Sequence, residues 1–161
     1  LPDYMVKLAV KVSKNIGYLY KNRSLNNTTL THGDFHLQNL LYDFNLQADP
    51  VVILDWDSYD VGCGAHDLAY MTSLLPTDYR RSHERMMLRA YHEQLLELGV
   101  VDYNPENFYL DYQIGSILAT GLQPILVKLM GQHREDQSLL TELSRRQYLL
   151  ILDHRSEQLI K

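Results

Sequence analysis

The residues of this chain that are best suited to chemistry lie in a polar segment, THGDFHLQN, at positions 31–39. Sixteen positions after Asn39, an apolar run ends in Asp55. An aspartate and an asparagine in one loop, followed by a carboxylate at the end of a strand, can line one site. Carboxylate and amide oxygens are hard ligands that suit Mg²⁺. We therefore predict a Mg²⁺ site formed by Asn39 and Asp55, with Asp34 free to accept a proton from a hydroxyl group.

Each of these residues taken alone has an ordinary structural explanation. An aspartate in a loop is usually a turn or cap residue, and a lone asparagine usually binds backbone groups. The prediction depends on the combination, in which Asp34, Asn39 and Asp55 occur in this order and spacing on a loop and a strand end.

Three short strands are expected to position this segment. Residues 28–31 and 40–42 flank the polar loop, and the near-continuous apolar run at 51–54 predicts a strand buried on both faces. Turn formers between Phe44 and Pro50 predict that the second and third strands pair as a hairpin. Such a hairpin would place Asp55 at the mouth of the loop.

Helices are predicted on both sides of this β insert, from apolar spacing and end signals. They cover 1–20, 65–75, 77–98, 105 to about 130, and 138–160. Gly99 is the expected stop of the third helix, with Leu98 pointing inward, and Pro124 is expected to kink the fourth. Leu139 is expected on the inner face of the last helix. The predicted fold class is α+β, mostly α-helical, in a single domain over residues 1–161.

Composition limits the classes of function. The chain has 161 residues and a formal charge of −5, so a general nucleic-acid binder with a basic face is not expected. No apolar stretch is long enough to predict a membrane-spanning helix. The single cysteine, Cys63, excludes an internal disulfide framework and a cysteine-based zinc cluster. We expect a cytoplasmic protein with no nucleic-acid or membrane partner. Because residue 1 is Leu, we also expect the chain to be a fragment or a processed piece.

The motif H-G-D-x-x-x-x-N, followed by an apolar strand and L-D-W-D, resembles the catalytic and metal-binding segments of the protein-kinase-like superfamily. The resemblance is strongest to the branch that contains aminoglycoside phosphotransferases, choline kinases and ecdysteroid-kinase-like proteins, in which Gly33 stands where protein kinases carry arginine. The later stretch GCGAHDLAY, residues 62–70, resembles the same branch. The specific match runs from Leu30 to about Leu75.

The resemblance implies a role for each matching residue. Asp34 would orient the acceptor hydroxyl and take its proton, and Asn39 and Asp55 would bind the Mg²⁺ of Mg-ATP. His32 would brace the loop backbone. Asp67 would cap its helix and pin the loop.

Four neighbouring residues have no role fixed by the resemblance. Asp57 is either a neighbour of the metal or a solvated loop acid, and His36 either approaches the transferred phosphate or packs within the loop. Trp56 is expected to pack under the loop as a buried anchor, and Cys63 is expected to be a bystander.

The chain also departs from the pattern of this superfamily. It contains no G-x-G-x-x-G segment and no strand with a V-A-I-K-like lysine, which are the marks of the N-terminal nucleotide lobe. The chain therefore resembles the C-terminal catalytic lobe alone, and its partner would be the missing lobe, either cut away or on another chain. On its own it should bind Mg-ATP weakly and transfer little phosphate, which calorimetric titration would measure.

The acceptor is expected to be a small-molecule alcohol bound by the helices after position 75. A pocket lined by acidic residues would favour a cationic acceptor. A cage of aromatic rings would favour a choline-like ammonium, and an apolar lining would favour a sterol-like alcohol. Candidate lining residues are Tyr59, Tyr103, Asp111, Tyr112 and His133.

Two other classes of protein compete with this interpretation. The segment G-D-F-H at 33–36 also resembles the opening of metallophosphoesterases, which place such residues around two metals. That class needs a second G-D and a G-N-H-[DE] segment, and the sequence has neither. The other alternative is a catalytically inert kinase-like binding module. The joint presence of Asp34, Asn39 and Asp55 argues against it.

Overall fold

A computed structural model describes residues 2–22, 27–43, 51–121 and 134–161. The described residues form a mostly α-helical α+β fold with two small antiparallel ribbons, so the predicted fold class is confirmed. The α-helices of these ranges are α1 (Asp3–Asn22), α2 (Gly64–Leu74), α3 (Thr77–Glu97), α4 (Pro105–Leu118) and α5 (Arg134–Asp153). A short 3₁₀ turn, Ser156–Leu159, follows α5.

Local signals explain where α3 ends and α4 begins. Gly99 adopts a left-handed φ of +92° and donates its N–H to the Leu96 carbonyl at 3.0 Å, which closes the last turn of α3. Leu98, which was expected to point inward, is 75% exposed because it lies in this closing turn. The Asn104 side chain accepts the N–H of Asn107 at 2.8 Å and caps α4 as predicted.

The bounds of the last two helices differ from the prediction. α4 ends at Leu118 rather than near position 130, and Pro124 lies outside the described residues. α5 stops before position 160 because Arg155 adopts a left-handed φ of +53° and turns the chain into the 3₁₀ segment. Leu150 and Ile151 are buried on its inner face, but Leu139 is 53% exposed and Leu140 is buried in its place.

The four strands of the described ranges form two nested ribbons. β1 (Thr29–Thr31) pairs with β4 (Asp60–Gly62), and β2 (Leu40–Tyr42) pairs with β3 (Val51–Ile53), both antiparallel. The β2–β3 hairpin confirms the prediction, whereas β4 was not anticipated. Because the inner ribbon lies between the strands of the outer one along the chain, the two connections between the ribbons face each other.

The predicted burial of the third strand on both faces is wrong. Val51, Val52 and Ile53 are 43%, 49% and 37% exposed. A two-stranded ribbon buries only the side chains that another layer covers, and in the described part of the chain no third strand joins β2 and β3. An apolar run therefore predicted the strand correctly but not its surroundings.

The helices pack around two apolar clusters that share α4. One cluster joins α1, α4 and α5 and includes Met5 and Ile151, and the other joins α2 to α3 and α4 and includes Ala69. α2 and α4 approach so closely at Gly115 that an added Cβ would lie 2.8 Å from the His66 Cα. This packing makes α2 a firm support for the side chains that it presents to the loops.

A buried polar network joins α2, α3, α4 and α5. Arg80, which is 1% exposed, donates to Glu84 at 2.8 Å and to Asp153. Glu84 also accepts the hydroxyl hydrogen of Tyr112 at 2.5 Å, and that hydroxyl lies 2.6 Å from Thr72 Oγ1. Buried charges are tolerated when they are paired and hydrogen-bonded in this way.

The network predicts a loss of stability in acid. Burial acts to raise the pKa of Glu84, but the neighbouring His154, whose Nε2 is 2.9 Å from the carboxylate, the hydrogen bond from Tyr112 and the charge of Arg80 bring it below its ordinary 4.5. The stabilisation from such a carboxylate is complete above the unfolded pKa and is lost as the pH falls through the folded pKa. We expect the free energy of unfolding of the wild type to fall relative to that of Glu84→Gln below about pH 4.5, as measured by chemical denaturation. A constant difference down to about pH 3 would contradict this expectation.

Candidate active site

Hydrogen bonds hold the polar loop (residues 32–39) against the second loop (residues 54–59). The Leu54 N–H donates to the Asn39 carbonyl at 2.8 Å and so extends the β2–β3 pairing. The Leu54 carbonyl accepts a hydrogen bond from His32 Nε2 at 2.7 Å. These two bonds fix Leu54, and the next residue, Asp55, consequently emerges beside the polar loop.

His32 is bonded to both loops at once. Its Nδ1 accepts the backbone N–H of Asp34 at 3.3 Å, and its Nε2 donates to the second loop, so one neutral tautomer satisfies both bonds. The ring is buried and lies 4.8 Å from the ring of Trp56. Trp56 is itself 39% exposed, so its predicted burial is wrong, although its ring packs against that of His32.

Asp67 binds the polar loop from α2. Its two carboxylate oxygens accept the backbone N–H groups of His32 at 2.6 Å and Gly33 at 3.0 Å. Burial raises the pKa of Asp67, and the two N–H groups act in the opposite direction. The residue at the N-cap of α2 is Cys63, and the Asp67 side chain is directed to the loop rather than to the start of its own helix.

The Asp34 carboxylate lies beside a loop histidine and lines a pocket together with Tyr70 of α2. His36 Nε2 is 3.3 Å from Asp34 Oδ2, and the Asp34 side chain is 36% exposed. Burial, followed by the nearby charge of Asp34, raises the pKa of the Tyr70 phenol, which therefore stays protonated. Sequence reasoning missed Tyr70, although its position three residues after Asp67 places both side chains on one face of α2.

Asn39 and Asp55 reach the site from opposite loops. Asn39 is 8% exposed, and its Nδ2 donates to the Asp34 carbonyl at 3.0 Å, which leaves its Oδ1 as the unused atom. Asp55 is exposed and adopts a left-handed backbone with φ of +60°. Among the described residues its carboxylate has no hydrogen-bond or ion-pair partner, and Asp57 beside it is exposed and similarly unpaired.

Comparison with known proteins identifies the kind of protein that carries this site. Residues 2–100, more than half of the chain, match the ecdysteroid kinase-like family. The chain belongs to the ecdysteroid kinase-like family. The match includes both loops and α2, and at the level of the family it gives a kinase-like phosphotransferase rather than a metallophosphoesterase. Searches of curated proteins and of solved structures returned no match.

The contact between the two loops requires a glycine at position 33. This is the position at which this ecdysteroid kinase-like chain departs from protein kinases, which carry arginine there. Its backbone has φ of +80°, a region that L side chains rarely adopt. A Cβ added to it would lie 2.2 Å from the Ser58 carbonyl oxygen. The absent side chain therefore allows the polar loop to lie directly on the second loop.

Gly33→Ala should separate the two loops, whereas Gly99→Ala provides a matched control. Gly99 also has a positive φ, +92°, but a Cβ there would meet nothing within 4 Å. We expect Gly99→Ala to lower the free energy of unfolding by about 1–2 kcal/mol from backbone strain alone, and Gly33→Ala to lower it further. Only Gly33→Ala should impair phosphoryl transfer. Equal losses of stability in the two variants would contradict the expectation, because they would show that the contact between the added Cβ and the Ser58 carbonyl oxygen is relieved without cost.

A pocket of about 480 Å³ lies beside Asp34 in this ecdysteroid kinase-like chain. Its walls are formed by the polar loop, the second half of α2 and one face of α5, and they are mainly apolar. The lining side chains include Asp34, His36, Tyr70, Met71, Leu74, Leu75, Leu140, Leu143, Ser144 and Arg146. The Arg146 guanidinium donates to the Leu74 carbonyl at 2.8 Å and to Glu142 at 2.9 Å, so its charge is already paired.

The residues that the sequence suggested for the acceptor lie outside this pocket. Tyr103, Asp111 and Tyr112 are buried in the helical core, where Tyr103 donates to Asp111 at 2.8 Å, and Tyr59 is 64% exposed on the second loop. None of these four lines the pocket beside Asp34. His133 lies outside the described residues.

Cys63 lies in the core with this group of residues. It is 2% exposed, and its Sγ is 3.6 Å from the Tyr103 hydroxyl. Burial raises the pKa of the thiol to about 11, so the uncharged thiol is present at neutral pH. Such a thiol is a packing group and a poor nucleophile.

Proposed function

We propose that this chain carries the transfer site of a small-molecule kinase that moves the γ-phosphate of ATP to an alcohol. Family membership supports the class of reaction. The observation that carries the proposal is the pairing of the two loops, in which Leu54 bonds to the Asn39 carbonyl and thereby brings Asp55 beside the loop of Asp34.

In the proposed reaction Asp34 acts as the general base. Its carboxylate accepts the hydroxyl proton of the alcohol while the alcohol oxygen forms a bond to the γ-phosphorus. The bond between that phosphorus and the oxygen bridging it to ADP breaks, and ADP leaves. Proton transfer of this kind contributes about 10²- to 10⁴-fold in rate, and positioning and charge neutralisation supply the rest.

The donor atoms present fit a magnesium ion. Asn39 has its amide nitrogen engaged and its oxygen unused, and Asp55 offers a carboxylate without a protein partner in the described ranges. In the described ranges no three His, Cys, Asp or Glu side chains are grouped as a metal site. The proposed ion would therefore rest on Asn39, Asp55 and the phosphates of ATP, and it would supply neutralisation of their charge.

The lining of the pocket beside Asp34 favours an apolar alcohol as acceptor. In the described part of the lining, Asp34 is the only carboxylate and Tyr70 is the only tyrosine, phenylalanine or tryptophan. A polycationic acceptor would need more acidic groups, and a quaternary ammonium would need a cage of aromatic rings. The apolar side chains of α2 and α5 instead suit a sterol-like molecule that presents one hydroxyl to Asp34.

The nucleotide site is proposed to be completed by an N-terminal lobe in the intact protein. The exposed apolar side chains of β2 and β3, such as Leu41 at 57% and Val52 at 49%, suit contact with such a lobe and with the adenine ring. For the chain as described, no helix is long and apolar enough to cross a membrane.

Transfer from radiolabelled Mg-ATP to a panel of alcohols tests the proposal on the intact protein. The panel contains an ecdysteroid, choline and an aminoglycoside, which represent the apolar, ammonium and polycationic classes. We expect the ecdysteroid to give the highest kcat/KM. Preferred phosphorylation of the aminoglycoside would contradict the interpretation that the pocket selects an apolar alcohol. The absence of transfer to any member of the panel would contradict the proposed function.

A further inference from the structure

The hydroxyl of Ser144 is a buried polar group that has no partner in the described part of the chain. Ser144 is 6% exposed and lies in the middle of α5. Within the described ranges, no hydrogen bond joins its hydroxyl to another group. Buried polar side chains are normally hydrogen-bonded, so a hydroxyl without a partner calls for an explanation.

Three other buried hydroxyls within helices are bonded to their own helix. Thr72, Ser73 and Ser116 each donate to a carbonyl three or four residues earlier, at 2.9, 2.6 and 2.7 Å. This bond is common for serine and threonine inside a helix. The Ser144 hydroxyl makes no such bond, so its oxygen is directed away from the backbone of α5.

The space open to this oxygen is the pocket beside Asp34. Ser144 lines the pocket on the wall formed by α5, beside the apolar side chains of Leu140 and Leu143. Among the described residues, the sealed interior atoms that lack a partner belong to other side chains, so the Ser144 oxygen is accessible from the pocket. Asp34 lines the same pocket from the polar loop. A molecule that fills the pocket therefore contacts both the carboxylate and the hydroxyl.

We propose that Ser144 determines acceptor specificity by binding a second oxygen of the alcohol, in a hydroxyl or carbonyl group, while the reacting hydroxyl faces Asp34. This inference rests on the proposed function of the pocket. A serine hydroxyl both donates and accepts, so either group satisfies it. An acceptor with a single hydroxyl would leave Ser144 buried without a partner and would bind less well. The acceptor is then an apolar molecule that carries oxygen at two separate positions.

The first test measures whether the hydroxyl is free before the acceptor binds. Ser144→Ala removes no hydrogen bond of the described chain and introduces a better helix former, so it should be at least as stable as the wild type. Ser116→Ala should be less stable, because Ser116 donates to the Gln113 carbonyl at 2.7 Å and to the Ser156 hydroxyl at 2.9 Å. Chemical denaturation of the intact protein measures both variants. A loss of stability in Ser144→Ala would show that its hydroxyl is bonded within the protein, and would overturn the inference.

The second test measures discrimination between two steroids that compete with the ecdysteroid for the intact protein. One carries a single hydroxyl on the first ring, and the other carries a second hydroxyl on the last ring. Ser144→Ala should weaken binding of the second steroid, and raise the KM for the ecdysteroid, by about 3- to 10-fold. Binding of the first steroid and the kcat should stay close to those of the wild type, because the lost contact is made equally before and during transfer.

Ser138→Ala is the matched control. Ser138 is an exposed serine of the same helix and lies outside the residues that line the pocket. This variant should leave the KM for the ecdysteroid and the affinities for both steroids unchanged. Any change equal to that in Ser144→Ala would mean that the effect comes from α5 as a whole, and would overturn the role of the Ser144 hydroxyl.

The outcomes separate this inference from the function on which it rests. A wild type that phosphorylates no alcohol would overturn the proposed function and the inference with it. A wild type that prefers choline or the aminoglycoside would overturn the apolar acceptor, and again the inference. Transfer to the ecdysteroid with an unchanged KM in Ser144→Ala would overturn the role of Ser144 alone. So would a wild type that does not bind the second steroid more tightly than the first.

Discussion

Asp34→Asn is expected to lower kcat for phosphoryl transfer by about 10²- to 10⁴-fold and to leave the affinity for Mg-ATP close to that of the wild type. The amide cannot accept the hydroxyl proton, whereas Asn39 and Asp55, the proposed ligands of the metal, are unchanged. The substitution is nearly isosteric, so the backbone bonds that Asp34 makes to His32 and Asn39 are retained. Steady-state kinetics on the intact protein, with calorimetric titration of Mg-ATP, measures both quantities.

Asp102→Asn is the matched control for this substitution. Asp102 is exposed and has φ of +59°, a conformation that asparagine also tolerates. The control should keep the kcat of the wild type. If Asp34→Asn retained more than about a tenth of that kcat, proton transfer to Asp34 would not limit the reaction and the assignment of a general base would fail.

Arg80→Met is expected to lower the free energy of unfolding by about 3–5 kcal/mol. Arg80 is 1% exposed and is bonded to both Glu84 and Asp153, so its removal takes away the buried charge that pairs the Glu84 carboxylate, while Asp153 keeps its bonds to Arg81. The methionine fills most of the space of the lost side chain, which keeps a cavity from dominating the result. Chemical denaturation monitored by circular dichroism gives the change.

Arg81→Met tests whether burial is the reason. Arg81 binds the same carboxylate, Asp153, through two hydrogen bonds of 2.8 and 2.9 Å, but its side chain is 49% exposed. An exposed pair contributes about 0–1 kcal/mol, so this variant should be nearly as stable as the wild type. Equal losses in the two variants would show that the number of hydrogen bonds, rather than burial of the charge, sets the stability.

The sequence predicted best those features of local structure that depend on neighbouring residues along the chain. The helix caps at Gly99 and Asn104 follow from single residue types, and the β2–β3 hairpin follows from a turn between two apolar runs. The loop of Asp34 and Asn39 could be predicted because a dense group of polar residues interrupts apolar elements. These features are local, so pattern and propensity are sufficient to predict them.

Features that depend on distant parts of the chain could not be predicted in the same way. The pocket beside Asp34, which is proposed to hold the acceptor, is completed by Leu140 and Ser144 of α5, more than a hundred residues after Asp34, and no local pattern relates them. β4 is only three residues long and pairs with β1 across the whole insert. Tyr103 was a candidate for the acceptor site because it is a tyrosine, but its surroundings place it in the core.

The left-handed backbone at Asp55 limits the substitutions that this position tolerates without strain. Asparagine and glycine adopt φ of +60° as readily as aspartate does, and each is one nucleotide away from an aspartate codon. Either replacement would delete the carboxylate while preserving the turn. A chain with asparagine or glycine at position 55 should therefore stay folded while it loses one of the two proposed ligands of the metal.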